Sequence, residues 1–149
     1  AELMSEAEAL RHAIQWDALI LAREWLDLAP AGAGIYGKIP VEVRVLIIDG
    51  APFAWSFHHL AVVAAPSGFP PNARGLAALA DLGRRVGTAF RSRLVCADFA
   101  KRKRGGWVFI EAGPGSAAGT AHEAVFKAVA SRLEGITSRP FKDDVAGLF

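Results

Sequence analysis

The sequence predicts an α+β protein in which helices pack on one face of an antiparallel β-sheet. Residues 41–48 alternate as a strand and run into Asp49-Gly50, a strong signal for a hairpin turn. A second hairpin is predicted over residues 94–111, around a turn rich in lysine, arginine and glycine. A helix is predicted between the hairpins, because apolar residues recur at helical spacing at Leu76, Leu79, Leu82, Val86 and Phe90.

The elements before the first hairpin are a helix, a strand and a loop. Ser5 and Glu8 form a capping box, and the apolar residues that follow have helical spacing, which predicts a short first helix. Residues 19–26 are apolar enough for a buried strand, and residues 29–37 are a loop rich in glycine and alanine. The first hairpin then follows, with residues 53–63 as its returning strand.

The elements after the first hairpin alternate between helix and hairpin. Asn72 is the predicted N-cap of the second helix. After the second hairpin, Thr120 and Glu123 form another capping box, and apolar residues at helical spacing predict a third helix. Residues 135–149 show no regular pattern. With no internal repeat and no linker, residues 1–149 are predicted to form a single domain.

The composition limits the classes of function. At 52% hydrophobic residues, a chain of 149 residues buries a core without disulfides, and its one cysteine, Cys96, cannot form a disulfide framework or a zinc set. The acidic start and the lack of a long apolar run predict a soluble cytoplasmic protein with no membrane partner. A net charge of +2 is too small to argue for nucleic acid by itself.

Two carboxylates give the strongest functional signal. If Arg104 and Gly105 form the centre of the second turn, Asp98 lies directly opposite Glu111 on one face of the hairpin. Opposed negative charges repel, and an unpaired carboxylate inside an apolar strand is costly. A divalent cation such as Mg²⁺ would relieve both costs, since hard cations take carboxylate oxygens and leave positions for phosphates. The pair predicts a metal–nucleotide site, with ordinary strand carboxylates as the alternative.

Arg44 is the next candidate residue. Alternation places Glu42 and Arg44 on the same face of their strand as Leu46 and Ile48. One interpretation puts both charged residues at the solvated end of a buried strand. The other makes Arg44 a ligand for phosphate or carboxylate, because guanidinium is a rigid two-pronged donor that lysine cannot copy.

Other groups carry weaker signals. The basic turn at residues 101–104 suits either solvent or phosphate groups, and its one aromatic neighbour, Trp107, does not make a stacking platform for nucleic acid. Residues 113–119 precede a helix but lack the Gly-Lys-Ser or Gly-Lys-Thr ending of a P-loop. His58 and His59 are adjacent on a strand, so they point to opposite faces and cannot ligate one metal together.

In order and spacing, several segments resemble the C-terminal half of an ATP-grasp protein over about residues 5–135. These segments are Ile20-Leu-Ala-Arg-Glu-Trp-Leu26, Val41-Glu-Val-Arg-Val45 with Asp49-Gly50, Val95-Cys-Ala-Asp98, Gly106-Trp-Val-Phe-Ile-Glu111 and Pro114-Gly115. They are similar to a clade of bacteria and phages that is marked by an arginine and two lysines, in which Arg44 would be the arginine. The resemblance implies the fold of the C-terminal ATP-grasp subdomain.

The resemblance also implies a role for each matching position. Adenine would be held by the backbone groups of Glu24, Trp25 and Leu26. Arg44 would face the phosphates or the substrate as a catalytic residue, while Asp98 and Glu111 would bind Mg²⁺ between the terminal phosphates of ATP. The implied enzyme is a ligase that activates a small-molecule or peptide carboxylate as an acyl phosphate for attack by an amine or similar nucleophile. Metal and arginine would neutralise charge during phosphoryl transfer.

Two departures from the family pattern are visible. The family has asparagine two positions after its second acidic residue, where this chain has Gly113, which implies weaker metal binding. The preceding lobe, with its glycine-rich loop and lysines, would lie before residue 1, so the expected partners are that lobe or a second copy of the chain. The alternative is a noncatalytic ATP-grasp-derived module that uses the basic hairpin for nucleic acid or an acidic partner.

Overall fold

The described part of the chain forms seven strands and two helices. The computed structural model describes residues 26–34, 37–58, 71–90, 92–115, 122–135 and 146–149. The strands are β1 Pro30–Gly34, β2 Gly37–Pro40, β3 Glu42–Ile48, β4 Ala51–Phe57, β5 Leu94–Lys101, β6 Trp107–Pro114 and β7 Ala146–Leu148. The helices are α1 Ala73–Ala89 and α2 Glu123–Leu133. A five-stranded antiparallel sheet has the order β6-β5-β3-β4-β7, and β1 pairs with β2. The predicted α+β class is confirmed.

The β3–β4 hairpin forms around the predicted turn. Asp49 has a φ angle of 50° and Gly50 one of 81°, and positive values at both central positions are typical of a two-residue type I′ turn. Asparagine, aspartate and glycine tolerate this left-handed backbone better than other residues, which explains why Asp49-Gly50 specifies the turn. The predicted strand over residues 41–48 is confirmed as β3.

The β5–β6 hairpin has a turn centred on Arg104. The backbone N–H of Arg102 donates to the carbonyl of Gly106 at 3.1 Å, which closes the turn around three residues. Gly105 and Gly106 have φ angles of 92° and 80°, a backbone conformation that glycine adopts without steric cost. The predicted two-residue centre at Arg104 and Gly105 is therefore wrong by half a step in register.

A β-bulge in β6 corrects that half step. Next to the turn, Phe99 of β5 pairs with Phe109, whereas one position further Asp98 pairs with Glu111. Ile110 is the extra residue between these two pairs. The bulge turns Phe109 and Glu111 to opposite faces, although residues two apart on a regular strand share one face. The predicted pairing of Asp98 with Glu111 is present for this reason.

The sheet carries one hydrophobic core on each face. The core against α1 contains Val43, Val45, Ile47, Trp55, Phe57, Leu79, Val95 and Phe99. The core against α2 contains Leu46, Ile48, Ala54, Val125, Val129 and Ala146. Odd and even positions of β3 are both apolar near its end, so each face needs a cover. The two described helices lie on opposite faces, and the expectation that helices pack on one face is corrected.

Two strand predictions and one helix cap differ from the structure. The predicted loop at residues 29–37 contains β1 and the first residue of β2, both rich in glycine, alanine and proline. The tail without a regular pattern contributes β7, which pairs with β4 at the sheet edge. The N-cap of α2 is His122, so Glu123 is the first helical residue and does not complete a capping box with Thr120.

Some predicted elements lie outside the described residues. They are the first helix, after Ser5, and nearly all of the strand predicted at residues 19–26, of which Leu26 alone is described. The predicted second helix is confirmed as α1, where the Asn72 side-chain oxygen accepts a hydrogen bond from the Gly75 N–H at 2.8 Å. Neither described helix combines the length and apolar character needed to cross a membrane.

Candidate functional site

The candidate site lies on the α2 face of the sheet, beyond the residues that pack on α2. Leu46 and Ile48 contact the α2 core. The alternation of β3 continues the same face to Arg44 and Glu42. β5 lies beside β3 with Asp98 directly opposite Arg44, and paired residues of antiparallel strands project to the same side. Sheet register therefore brings the sequence candidates together.

Arg44 and Asp98 form a bidentate ion pair. The guanidinium donates from Nε to Oδ1 at 2.9 Å and from Nη2 to Oδ2 at 2.8 Å. The two side chains are only 12% and 3% exposed. The hydrogen bond to Asp98 raises the pKa of Arg44 above its ordinary value, so the guanidinium stays charged. Asp98 is therefore not an unpaired carboxylate, as a metal-only site would have required.

Glu42 and His58 complete a group around Asp98. One ligand atom from each of these three residues lies within 4.8 Å of the other two. The backbone N–H of His58 donates to the Glu42 carbonyl at 2.9 Å, which continues the β3–β4 pairing past the end of β4. One carboxylate oxygen from each acid and one imidazole nitrogen form a donor set that a divalent metal ion accepts.

Sequence reasoning misses two members of this group. It allows Glu42 either a solvated strand end or a functional face, and it rejects His58 because neighbouring histidines point apart. His59 is indeed not needed, since His58 meets residues from other strands. The signal was available in the hairpin: residues 42 and 58 are equally distant from the Asp49-Gly50 turn once the bulge in β4 is counted.

Glu111 lies opposite Asp98 but is exposed and does not belong to the group of three. Its charge nevertheless acts on Glu42, because it contributes to raising the Glu42 pKa. The Gly113 position, where the family has asparagine, pairs with Cys96. Burial raises the pKa of the Cys96 thiol to about 12, so this cysteine stays protonated at neutral pH and offers no thiolate ligand.

The Glu42 carboxyl is the electrostatically costly member of the site. Its pKa is raised from 4.5 to about 7, mainly by burial and next by the charge of Asp98, while Arg44 partly offsets the rise. Glu111 adds a smaller effect in the same direction as burial. A neighbouring cation would favour ionised Glu42, which is how a metal ligand is distinguished from an inert buried acid.

Replacement of Glu42 by Gln is expected to stabilise the protein at pH 8 and to leave its stability unchanged at pH 4. Between 4.5 and about 7 the folded protein holds the Glu42 proton that the unfolded chain releases, so stability falls as pH rises through this window. After allowance for solvent screening, we expect a gain in Tm of roughly 2–6 °C at pH 8. Thermal unfolding without added metal at both pH values measures it, and an equal gain at pH 4 would contradict the assignment.

The residues present fit a divalent cation. The carboxylates of Glu42, Asp98 and Glu111 face one guanidinium, that of Arg44, which leaves two negative charges when Glu42 is ionised. A carboxylate offers about four lone pairs, so Asp98 can bind Arg44 and a metal together. Carboxylate oxygens suit Mg²⁺, whereas the imidazole of His58 is a more usual ligand for transition metals.

Only one of the predicted adenine contacts lies in the described part of the chain. Glu24 and Trp25 lie outside it, and Leu26 is half-buried. Leu26 leads into Asp27, whose carbonyl accepts from the Lys103 N–H at 3.0 Å and whose carboxylate pairs with Lys103 Nζ at 2.5 Å. The start of the described chain is thereby attached to the β5–β6 hairpin.

The family of the chain follows from a match to known proteins. Residues 3–133 match the model of an ATP-grasp domain, family 3 of the clade that is named for one arginine and two lysines. A comparison with curated proteins gives no match. The matched segment includes Arg44, Asp98 and Glu111, together with Glu42 and His58. Because the match covers most of the sequence, the chain belongs to the ATP-grasp superfamily.

Proposed function

We propose that the chain is the ATP- and magnesium-binding lobe of an ATP-grasp ligase, which activates a carboxylate as an acyl phosphate for attack by an amine or similar nucleophile. Family membership supports ATP binding and ligase-type chemistry in general. One observation carries the finer proposal: three carboxylates and Arg44 gather on one face of the sheet, with two negative charges in excess.

Each residue of the site has a role in this proposal. Asp98 and Glu111 would hold Mg²⁺, and a bound Mg²⁺ ion supplies neutralisation of phosphate charge. Arg44 would fix the orientation of Asp98 through its two hydrogen bonds and add a positive charge beside the phosphates. Glu42 would lose its proton when the cation binds and balance the added charge.

The substrate and nucleotide contacts are proposed on family grounds. Glu24, Trp25 and Leu26 would hold adenine through backbone groups. The carboxylate substrate would be a small molecule or a peptide. Arg44 is the proposed catalytic residue, since a guanidinium next to the transferred phosphoryl group stabilises charge that develops there.

Manganese binding tests the proposal directly. Mn²⁺ takes the oxygen ligands that Mg²⁺ takes and is visible by electron paramagnetic resonance. We expect ATP and Mn²⁺ to bind together, and Glu111→Gln to weaken Mn²⁺ binding at least about tenfold, equivalent to about 1.4 kcal/mol. The two ligands should also raise Tm, because they bind the folded state. Asp81→Asn is the matched control, since Asp81 is an exposed acid on α1, across the sheet from the site.

Two other outcomes have definite meanings. If Glu42→Gln weakens Mn²⁺ binding and Glu111→Gln does not, the ion lies among Glu42, His58 and Asp98, and the predicted Glu111 ligand is wrong. If neither ATP nor Mn²⁺ binds at millimolar concentration, the ligase proposal fails. The noncatalytic module would then be favoured, with the Arg44–Asp98 pair as a structural ion pair.

A further inference from the structure

A cleft of about 350 Å³ lies between the basic turn of the β5–β6 hairpin and the first turn of α1. The hairpin contributes Lys101, Arg102 and Lys103 to its walls. Asn72 and Gly75, at the start of α1, line the other side. The cleft therefore joins a cluster of cationic side chains to a helix N-terminus.

The charge of the cleft is positive. Of its three cationic side chains, Lys103 has a carboxylate partner, Asp27. The ammonium of Lys101 lies 5.0 Å from the centre of the Trp107 ring, and Arg102 has no carboxylate partner among the residues that the structure describes. The described residues that line the cleft include no acid. This imbalance favours an anionic ligand.

Two neutral donors add to the cleft. The 17-residue helix α1 directs its N-terminal turn at the cleft, where backbone N–H groups carry partial positive charge. Trp107 also lines the cleft, and its buried indole Nε1 has no hydrogen-bond acceptor within the described part of the chain. A buried donor without an acceptor is costly, and an acceptor-rich ligand relieves that cost.

The cleft lies on the α1 face of the sheet, away from the candidate metal site. Lys101 pairs with Trp107, and two positions before it Phe99 belongs to the α1 core. Asp98 has the opposite parity in β5 and projects to the α2 face with Arg44. A ligand in the cleft is therefore not the nucleotide phosphate held by Asp98 and Glu111.

We propose that this cleft binds the phosphate group of a small molecule. Phosphate oxygens accept hydrogen bonds and donate none when fully ionised, which matches a wall of ammonium, guanidinium, indole and helix N–H groups. The volume lies at the lower end of the range for small-ligand pockets, about 300–1,000 Å³, and suits a phosphate ester or diphosphate of about nucleotide size.

Calorimetric titration of pyrophosphate into the 149-residue chain tests the proposal. EDTA is present, so that binding through Mg²⁺ at the carboxylates is excluded. We expect saturable binding that weakens as salt is raised, because exposed charges are screened. The double variant Lys101→Gln/Arg102→Gln should weaken binding at least about tenfold, since two charge-assisted donors are lost.

Two variants separate the cleft from its surroundings. Arg104→Gln removes a cation from the same turn that does not line the cleft, and it should leave affinity within about twofold, since its charge is exposed. Glu111→Gln alters the proposed metal site and should also leave pyrophosphate binding unchanged, whether or not the ligase proposal holds. Circular dichroism and Tm verify that each variant is folded.

The proposal is overturned by either of two results. Absence of saturable pyrophosphate binding shows that the cleft is not a phosphate site. Equal weakening by Arg104→Gln and by the double variant shows diffuse attraction to the whole turn. A short single-stranded DNA that binds when pyrophosphate does not would assign the turn to nucleic acid and would likewise reject a small-molecule site.

Discussion

Replacement of Arg44 by Leu is expected to destabilise the protein by about 3 kcal/mol, because it leaves the Asp98 carboxylate buried without its partner. The Asp98 side chain is only 3% exposed, and water cannot replace both hydrogen bonds of the guanidinium. The charges of Glu42 and Glu111 lie nearby and add repulsion. Urea unfolding measures the loss, and Tm should fall by about 6–12 °C.

The double variant Arg44→Leu/Asp98→Leu provides the decisive control. A buried ion pair replaced by apolar residues is often neutral in stability, so the second change should restore most of what the first removes. Arg85→Leu, at an exposed position on α1, should change stability by less than about 0.5 kcal/mol. A single Arg44→Leu variant as stable as the natural chain would show that Asp98 does not depend on this pair.

Replacement of Gly87 by Ala is expected to cost about 2 kcal/mol, although alanine is the better helix former. A Cβ atom at position 87 would lie 2.5 Å from the Gly50 carbonyl oxygen and 2.9 Å from Ile47 Cγ2. The Gly50 carbonyl belongs to the backbone of the β3–β4 turn and cannot rotate away as a side chain can. Helix α1 approaches the hairpin turn this closely only because position 87 has no side chain.

Gly75→Ala is the matched control on the same helix. A Cβ atom there meets its nearest neighbours at 3.4–3.6 Å, which is ordinary van der Waals contact. This substitution should be neutral or stabilising by up to about 1 kcal/mol, since alanine lowers the entropy of the unfolded chain. Thermal unfolding of both variants compares them, and a Gly87→Ala protein as stable as Gly75→Ala would refute the close contact.

The elements that were predicted from the sequence have local causes. Asp49-Gly50 specifies a turn by its own backbone preference, and Asn72 caps α1 through a bond to a residue three positions away. The alternation in β3 and the helical spacing in α1 likewise depend on short segments. Patterns of this kind are readable because each residue interacts mainly with its neighbours in the chain.

The elements that were missed depend on contacts far apart in sequence. β7 is three residues long and forms by pairing with β4, which no local pattern predicts. β1 and β2 contain glycine and proline, which have low strand propensity, and they form by pairing with each other. The pairing of Arg44 with Asp98 requires β3 to lie beside β5, and local patterns do not determine the strand order.

The bulge residue Ile110 links the alignment of the hairpin to its chemistry. If the bulge straightened by a one-residue slip, Ile110 would take the place opposite Asp98, and Glu111 would turn toward Ala97 and the α1 core. A carboxylate forced into that apolar layer would be expensive, so the misaligned hairpin is selected against by the same acid that the site uses. Glu111 thus serves as a proofreader of the strand alignment that presents it.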